Sequence, residues 1–245
     1  MLRTFRADLH VHTCLSPCAA EQMRPMAIIA QAKKKGLDVI AMCDHNSARN
    51  VWAVRHAARR QSLAVIGGME ICSEEEVHIL GLFDEDENLQ QMQQLVDENL
   101  SGENNAELFG EQSLCDEQDA IIGQESKLLI GATKLSVKEI IEEVHRLGGL
   151  AVFSHVDRES YSILSQLGFV PEGLQIDALE ISSRCSPAKA RDSLPQIKDY
   201  RLVHFSDAHQ LDQIGAVSTT FTGNSPSVME LGKALRAEDE REVVI

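Results

Sequence analysis

No stretch of this sequence approaches the roughly 18–20 apolar residues that span a bilayer. The opening Met1-Leu-Arg-Thr-Phe-Arg6 offers no hydrophobic leader before Asp8 and His10. These absences predict a soluble cytoplasmic protein with no membrane partner. Positive charge is scarce: 23 Lys and Arg face 38 Asp and Glu, a net charge of −15. That balance predicts no affinity for long nucleic acid, whose backbone repels an acidic surface. A small phosphorylated substrate stays open, because bound cations reverse a local field. A Gly-rich phosphate turn after the first strand is missing too, which disfavours an open dinucleotide-binding sheet. The six cysteines are Cys14, Cys18, Cys43, Cys72, Cys115 and Cys185. In a chain of 245 residues expected to be cytoplasmic they do not read as a disulfide framework. Cys14 and Cys18 have no third cysteine nearby for an iron–sulfur site.

What is present is 43% hydrophobic residues, enough for a substantial core. The acidic excess is local, since Glu70 to Glu125 holds 17 Asp and Glu and no Lys or Arg. Charge runs are usually solvated faces, and that is the reading taken here.

Val-, Ile- and Leu-rich runs alternate with helical patterns. Strands are expected at Phe5–His12, Val39–Cys43, Leu63–Cys72, Val77–Phe83, Leu150–Phe153, Ala178–Ile181 and Leu202–Phe205. Helices are expected at Pro25–Lys35, Asn50–Gln61, Glu87–Leu100, from Ser136 onward, Tyr161–Leu167, Pro187–Ser193 and Ser227–Leu235. Ser136 and Glu139 form a capping box, and Ile140, Ile141, Val144 and Leu147 a helical stripe. Strands separated by helices favour an α/β fold with a largely parallel sheet, and the length suits a closed barrel. Residues 120–123 and 127–131 could pair as a hairpin within an insertion at about 84–135 of a single domain, 1–245.

Asp8-Leu-His10-Val-His12 carries the sharpest signal. Alternate strand residues share a face, so the three side chains should point together, two imidazoles chelating and a carboxylate orienting one of them. Asp44-His45-Asn46, Glu70, His78, His155 and Asp207-Ala-His209 follow at or near other strand ends. In such folds these ends converge, where sites form. Imidazole mixed with carboxylate suits Zn, Mn or Fe, and the donors are too many for one tetrahedral ion.

The segments Asp8 to Thr13, Cys43 to Asn46, Gly68 to Glu70, His78, Ser154-His155 and Phe205 to His209 occur in order over about four-fifths of the chain. In them the sequence resembles the PHP (polymerase and histidinol phosphatase) superfamily of metal-dependent phosphoesterases. The resemblance implies a distorted seven-stranded (β/α)7 TIM-like barrel and a centre of two or three divalent ions. It implies one ion on His10, His12, Glu70 and Asp207, a second on Glu70, His78 and His155, and a third on His45 and His209. Where the family usually places His or Asp as the third ion's remaining ligand, this chain has Cys18. As a thiolate Cys18 would favour Zn; otherwise the third position stays weak or empty. Asp8 and Asp44 then sit behind the ligands.

The implied reaction is attack of a metal-bridging hydroxide, held by the Glu70 pair of ions, on a small phosphate ester. Asp207 or His209 would help protonate the leaving oxygen. Arg158, then Arg184, are candidates to grip the phosphate bidentately, and Asn46 to bind substrate or cap a helix. Trp52, the one tryptophan, is expected in the core. The alternatives are a nuclease acting on nucleotides or short oligonucleotides, and a non-catalytic metal-stabilised binding module.

Overall fold

The computed structural model describes residues 1–245. The chain begins with β1 (Arg3–Val11), α1 (Pro25–Lys34), β2 (Val39–Met42), α2 (Val51–Ala57), β3 (Ala64–Cys72) and β4 (His78–Phe83). Next come α3 (Asp86–Asn99), α4 (Ala106–Phe109), β5 (Ser113–Cys115), β6 (Ile121–Gln124) and α5 (Val137–Arg146). The remainder is β7 (Leu150–Phe153), α6 (Ile163–Leu167), β8 (Ala178–Ile181), α7 (Pro187–Ser193), β9 (Leu202–His204), β10 (Thr219–Gly223), α8 (Val228–Leu235) and β11 (Val243–Val244).

Nine strands form one sheet in the order β11-β10-β1-β2-β3-β4-β7-β8-β9. The sheet curls almost shut, because Ala208, just beyond β9, bridges Val11 of β1. His12 N donates to Ala208 O at 3.0 Å, and Ala208 N to His10 O at 3.2 Å. The expectation of seven strands is replaced by nine, since β10 and β11 add antiparallel beyond β1. The sheet is mixed rather than largely parallel. β4 follows β3 through a tight turn and runs antiparallel to both β3 and β7.

Alternation along the strands builds two apolar layers. Ala7, Leu9, Val39, Ala41, Leu80 and Val152 belong to an inner cluster, which α8 closes with Val228 and Leu231. Ile40, Met42, Met69, Ile71, Ile79 and Phe153 belong to an outer cluster, covered by α1, α2, α3 and α5. The Ser136–Glu139 capping box is present, and Val137, Ile140, Ile141 and Val144 of α5 are buried.

β1 breaks its own alternation. Asp8 pairs with Ile40 but Val11 with Met42, so three steps on β1 match two on β2. This irregularity re-aims the strand, as β-bulges commonly do beside functional sites. Leu9 joins the inner cluster while Val11 joins the outer one. His10 and His12 therefore turn inward, whereas Asp8 faces outward with its register partner Ile40. The expectation that all three share a face fails for Asp8.

Three further differences from the sequence reading follow. The 84–135 hairpin pairs β5 with β6, while residues 127–131 cross as a loop whose Leu129 joins Leu15 and Leu100. α6 starts after Ser162, whose side chain caps it, so Tyr161 stands outside the helix with φ 57°. Trp52 is 55% exposed and stacks on His56 at 3.8 Å, not in the core.

Candidate metal centre

One rim of the barrel gathers the histidines. His10 and His12 arrive on β1, His45 on the extension of β2, and Glu70 on β3. His78 opens β4, which reaches the same rim by its first residue because it runs antiparallel. His155 follows β7, and Asp207 and His209 follow β9. Close strand approach under Glu70 requires Gly68: a Cβ there would stand 2.9 Å from Gly81 O and 3.0 Å from Cys43 Sγ. His155 (φ 31°), Asp207 (φ 50°) and Asn46 (φ 49°) all occupy the left-handed region. Such strain in non-glycine residues concentrates at functional sites.

Glu70 is the hub. Its Oε1 lies 3.4 Å from His10 Nε2, 3.1 Å from His78 Nδ1 and 3.1 Å from His155 Nε2. Its Oε2 lies 3.0 Å from His45 Nδ1 and 3.5 Å from His12 Nε2. Asp207 Oδ1 stands 3.2 Å from His10 Nε2 and 3.1 Å from His12 Nε2, and those two nitrogens are 3.1 Å apart.

The donor chemistry of this cluster fits a cation. His10 Nδ1 donates to Glu180 Oε2 at 2.8 Å. His12 Nδ1 donates to Ser16 Oγ at 2.9 Å, whose own hydrogen goes to Asp44 Oδ1. In the neutral form that a metal ligand must take, each imidazole spends its one N–H outward and turns its Nε2 lone pair toward the other and toward two carboxylates. In that form four electron-pair donors meet with no hydrogen between them, an arrangement that calls for a cation. Buried His78 Nδ1 has no aligned hydrogen-bond partner. The groups His10–His12–Glu70–Asp207, His45–Glu70–His78 and His12–His45–His209 each bring their ligand atoms within 4.8 Å of one another. The residues suit divalent metals.

Burial opposes ionisation of the two carboxylates, but the imidazoles outweigh it. His78 and His10 hold Glu70, and His10 and His12 hold Asp207, well below the usual carboxylate range. Burial also works against charge on His10, yet Glu180, Asp207 and Glu70 raise it well above an ordinary imidazole. His12 goes the other way, lowered by burial and by His209. Cys18 sits exposed at the mouth of the cavity. Burial of its thiol works to raise its pKa, but His209 and His45 draw it down to about 6.

The remaining expected residues divide. Arg158 lines the cavity and pairs with Asp207 Oδ2 at 2.6 Å. Arg184 is exposed and outside the cavity. Asn46 is fully buried: its amide donates to Leu129 O and Gly131 O, and its Oδ1 accepts from Cys72 N. It ties the 127–131 loop to the rim and does not cap α2, whose N-cap is Asn50. Asp44 accepts from Thr13 N, Thr13 Oγ1 and Ser16 Oγ, so it acts on His12 through Ser16. Asp8 accepts from Ser206 N, Ser206 Oγ and Gly215 N and touches no imidazole. Burial raises its pKa to about 6, partly offset by those bonds.

The carboxylate that orients His10 is Glu180, which the motif reading missed. Its signal was present as one Glu inside the apolar run Ala-Leu-Glu-Ile of β8, where the structure buries it completely. Partners of this kind set imidazole tautomer and orientation, and losing one typically costs 10–100-fold in metal affinity. Glu180→Leu is expected to weaken metal binding by about that factor, read by competition with a chromogenic chelator. An unchanged affinity would mean that His10 needs no such partner.

Comparison with known proteins is consistent with this geometry. The PHP domain model matches residues 8–166. The chain is 30% identical over 82 residues to a 5'-3' exoribonuclease of Haemophilus influenzae. It is 30% identical over 80 residues to a phosphoribosyl 1,2-cyclic phosphate 1,2-diphosphodiesterase of Eggerthella lenta. These matches cover 32% and 31% of this chain and 29% of each relative, so the chain aligns with under a third of either enzyme. In fold it resembles a lesion-specific endonuclease of Pyrococcus furiosus, with TM-score 0.75, 16% identity, and 99% of this chain matched to 58% of that one. A second match, TM-score 0.70 and 18% identity over 98% of this chain and 58% of the other, is endonuclease Q in complex with a 27-mer duplex bearing an abasic lesion at the active site.

That last finding overturns the exclusion of long nucleic acid. Net charge sums over the whole surface, whereas binding is decided at one face, and this fold accommodates a duplex in that protein. By its family match over residues 8–166 and its ordered metal motifs, the chain belongs to the PHP domain family.

Proposed function

We propose that this chain hydrolyses phosphodiester bonds of nucleic acid with the help of two or three divalent ions. The observation that carries the reading is the convergence on Glu70 of five histidines from four separate strand segments. His10, His12, Glu70 and Asp207 would hold one ion. Glu70, His78 and His155 would hold a second, and His45 and His209 with Cys18 a third. Zn, Mn or Fe suits these donors. When bound, such ions supply Lewis acidity toward a phosphoryl oxygen and a nucleophilic water at neutral pH.

The chain's own groups do the rest. Glu70 and Asp207 fix the cluster's charge. Arg158, 27% exposed at its side chain, presents a guanidinium that a phosphate can share with Asp207. With the third position empty, His209, its Nδ1 2.9 Å from Asp207 O, stands at the mouth and can hand a proton to the departing oxygen. Diesterase and nuclease relatives support the choice of a diester over a monoester.

A panel of single-stranded DNA and RNA, an abasic duplex, bis(p-nitrophenyl) phosphate and p-nitrophenyl phosphate tests this reading, with Mn or Zn added and then chelated. Chelator-sensitive cleavage of the nucleic acids, faster than of the monoester, is expected. Turnover confined to the monoester, or none with metal bound, would overturn it.

A further inference from the structure

The cavity over the His–carboxylate cluster holds about 280 Å³ and is lined mostly by polar and charged residues. Tyr161 and Ile130 are its large apolar lining residues. Tyr161 is 41% exposed, and its ring stacks on His78 with centroids 4.7 Å apart and planes 23° from parallel. One ring face is thus covered, so its exposed surface belongs to the other face and the edge. The backbone keeps it there: Tyr161 is left-handed at φ 57°, and its carbonyl accepts His78 N at 2.9 Å. Ser162 Oγ donates to Arg158 O, and Asp157 grips Ser182 N and Oγ at 2.7 Å each. A bulky residue in that conformation is uncommon and is held only by such surrounding bonds. Packing His78 alone would not need an aromatic so exposed.

We infer that Tyr161 is a stacking platform for the nucleobase next to the scissile phosphate. The phosphate meets Arg158 and the His–carboxylate cluster while the base lies on the open ring face. The substrate class this selects is a nucleotide unit bearing its base, over a bare sugar phosphate. Any base offers a π-face, so the platform tolerates sequence. The inference rests on the phosphodiesterase reading for its biological sense, but its test does not depend on turnover.

AMP and ribose 5-phosphate are titrated calorimetrically into metal-loaded protein, for the natural chain, Tyr161→Phe and Tyr161→Leu. Metal content and melting temperature are checked in each. Base–aromatic stacking predicts AMP binding roughly tenfold tighter than ribose 5-phosphate in the natural chain. Tyr161→Phe keeps that margin and Tyr161→Leu brings it close to one. With a cleaved dinucleotide, Tyr161→Leu should raise KM by a similar factor and leave kcat near its original value. Equal affinities in the natural chain, or a margin that survives in Tyr161→Leu, overturns the inference even if diesters are cleaved. Failure of cleavage with the AMP margin intact would instead count against the hydrolase reading alone.

Discussion

Glu70→Gln is expected to lower phosphodiester turnover about a thousandfold and to leave the purified protein short of metal. The substitution keeps the side chain's shape and removes one negative charge. That charge faces five imidazoles at 3.0–3.5 Å in a site where Glu70 is 1% exposed. Removing one partner from a buried charged network costs roughly 3–5 kcal/mol, and each 1.36 kcal/mol is a factor of ten. Elemental analysis and initial rates measure the two effects, with circular dichroism to show that the barrel persists. Full metal content with full turnover in Glu70→Gln would remove Glu70 from the centre.

Complete chelation should abolish turnover and lower the melting temperature by roughly 5–15 °C. The estimate takes about 2.7–4 kcal/mol from ligand linkage and 2–4 °C per kcal/mol for a chain of this size. The same experiment carries a proton signature. In metal-free protein His10, His45 and His209 are raised above the ordinary imidazole value of 6.5, in each case against burial. Glu180 does most to raise His10, Cys18 and Glu70 raise His45, and Cys18 and Asp207 raise His209. A raised imidazole holds its proton to higher pH than an ordinary one, and an incoming ion must displace that proton. Metal uptake should therefore release protons near pH 7, and affinity should climb as pH rises. Titration calorimetry in buffers of different ionisation enthalpy reads the release. Uptake without proton release, or a melting temperature indifferent to chelation, would contradict this account.

Much of the site was legible because strand alternation and strand ends are visible in a string of letters. His10, His12, His45, Glu70, His78, His155, Asp207 and His209 all stand on one rim. Asp8 was misplaced because a one-residue irregularity in β1 has no composition signal here, and one extra residue reverses a side chain's face. Asn46 looked functional beside His45, but its amide is consumed by the 127–131 loop, a pairing between residues more than 80 positions apart. Glu180 carried no motif and was visible only as a charge in an apolar strand. The strands beyond β9 were missed because Thr219-Thr-Phe-Thr-Gly223 is short and mostly polar, and its pairing with β1 spans most of the chain. The substrate restriction drawn from net charge failed for a different reason: a whole-chain sum says nothing about the charge at one cavity.

Diffraction from crystals of the natural chain, collected on both sides of the Zn, Mn and Fe absorption edges, tests the cation cage most directly. The account predicts an anomalous peak among His10 Nε2, His12 Nε2, Glu70 and Asp207, and a second between Glu70 and His78. A catalytically competent crystal with no peak at either position would contradict it.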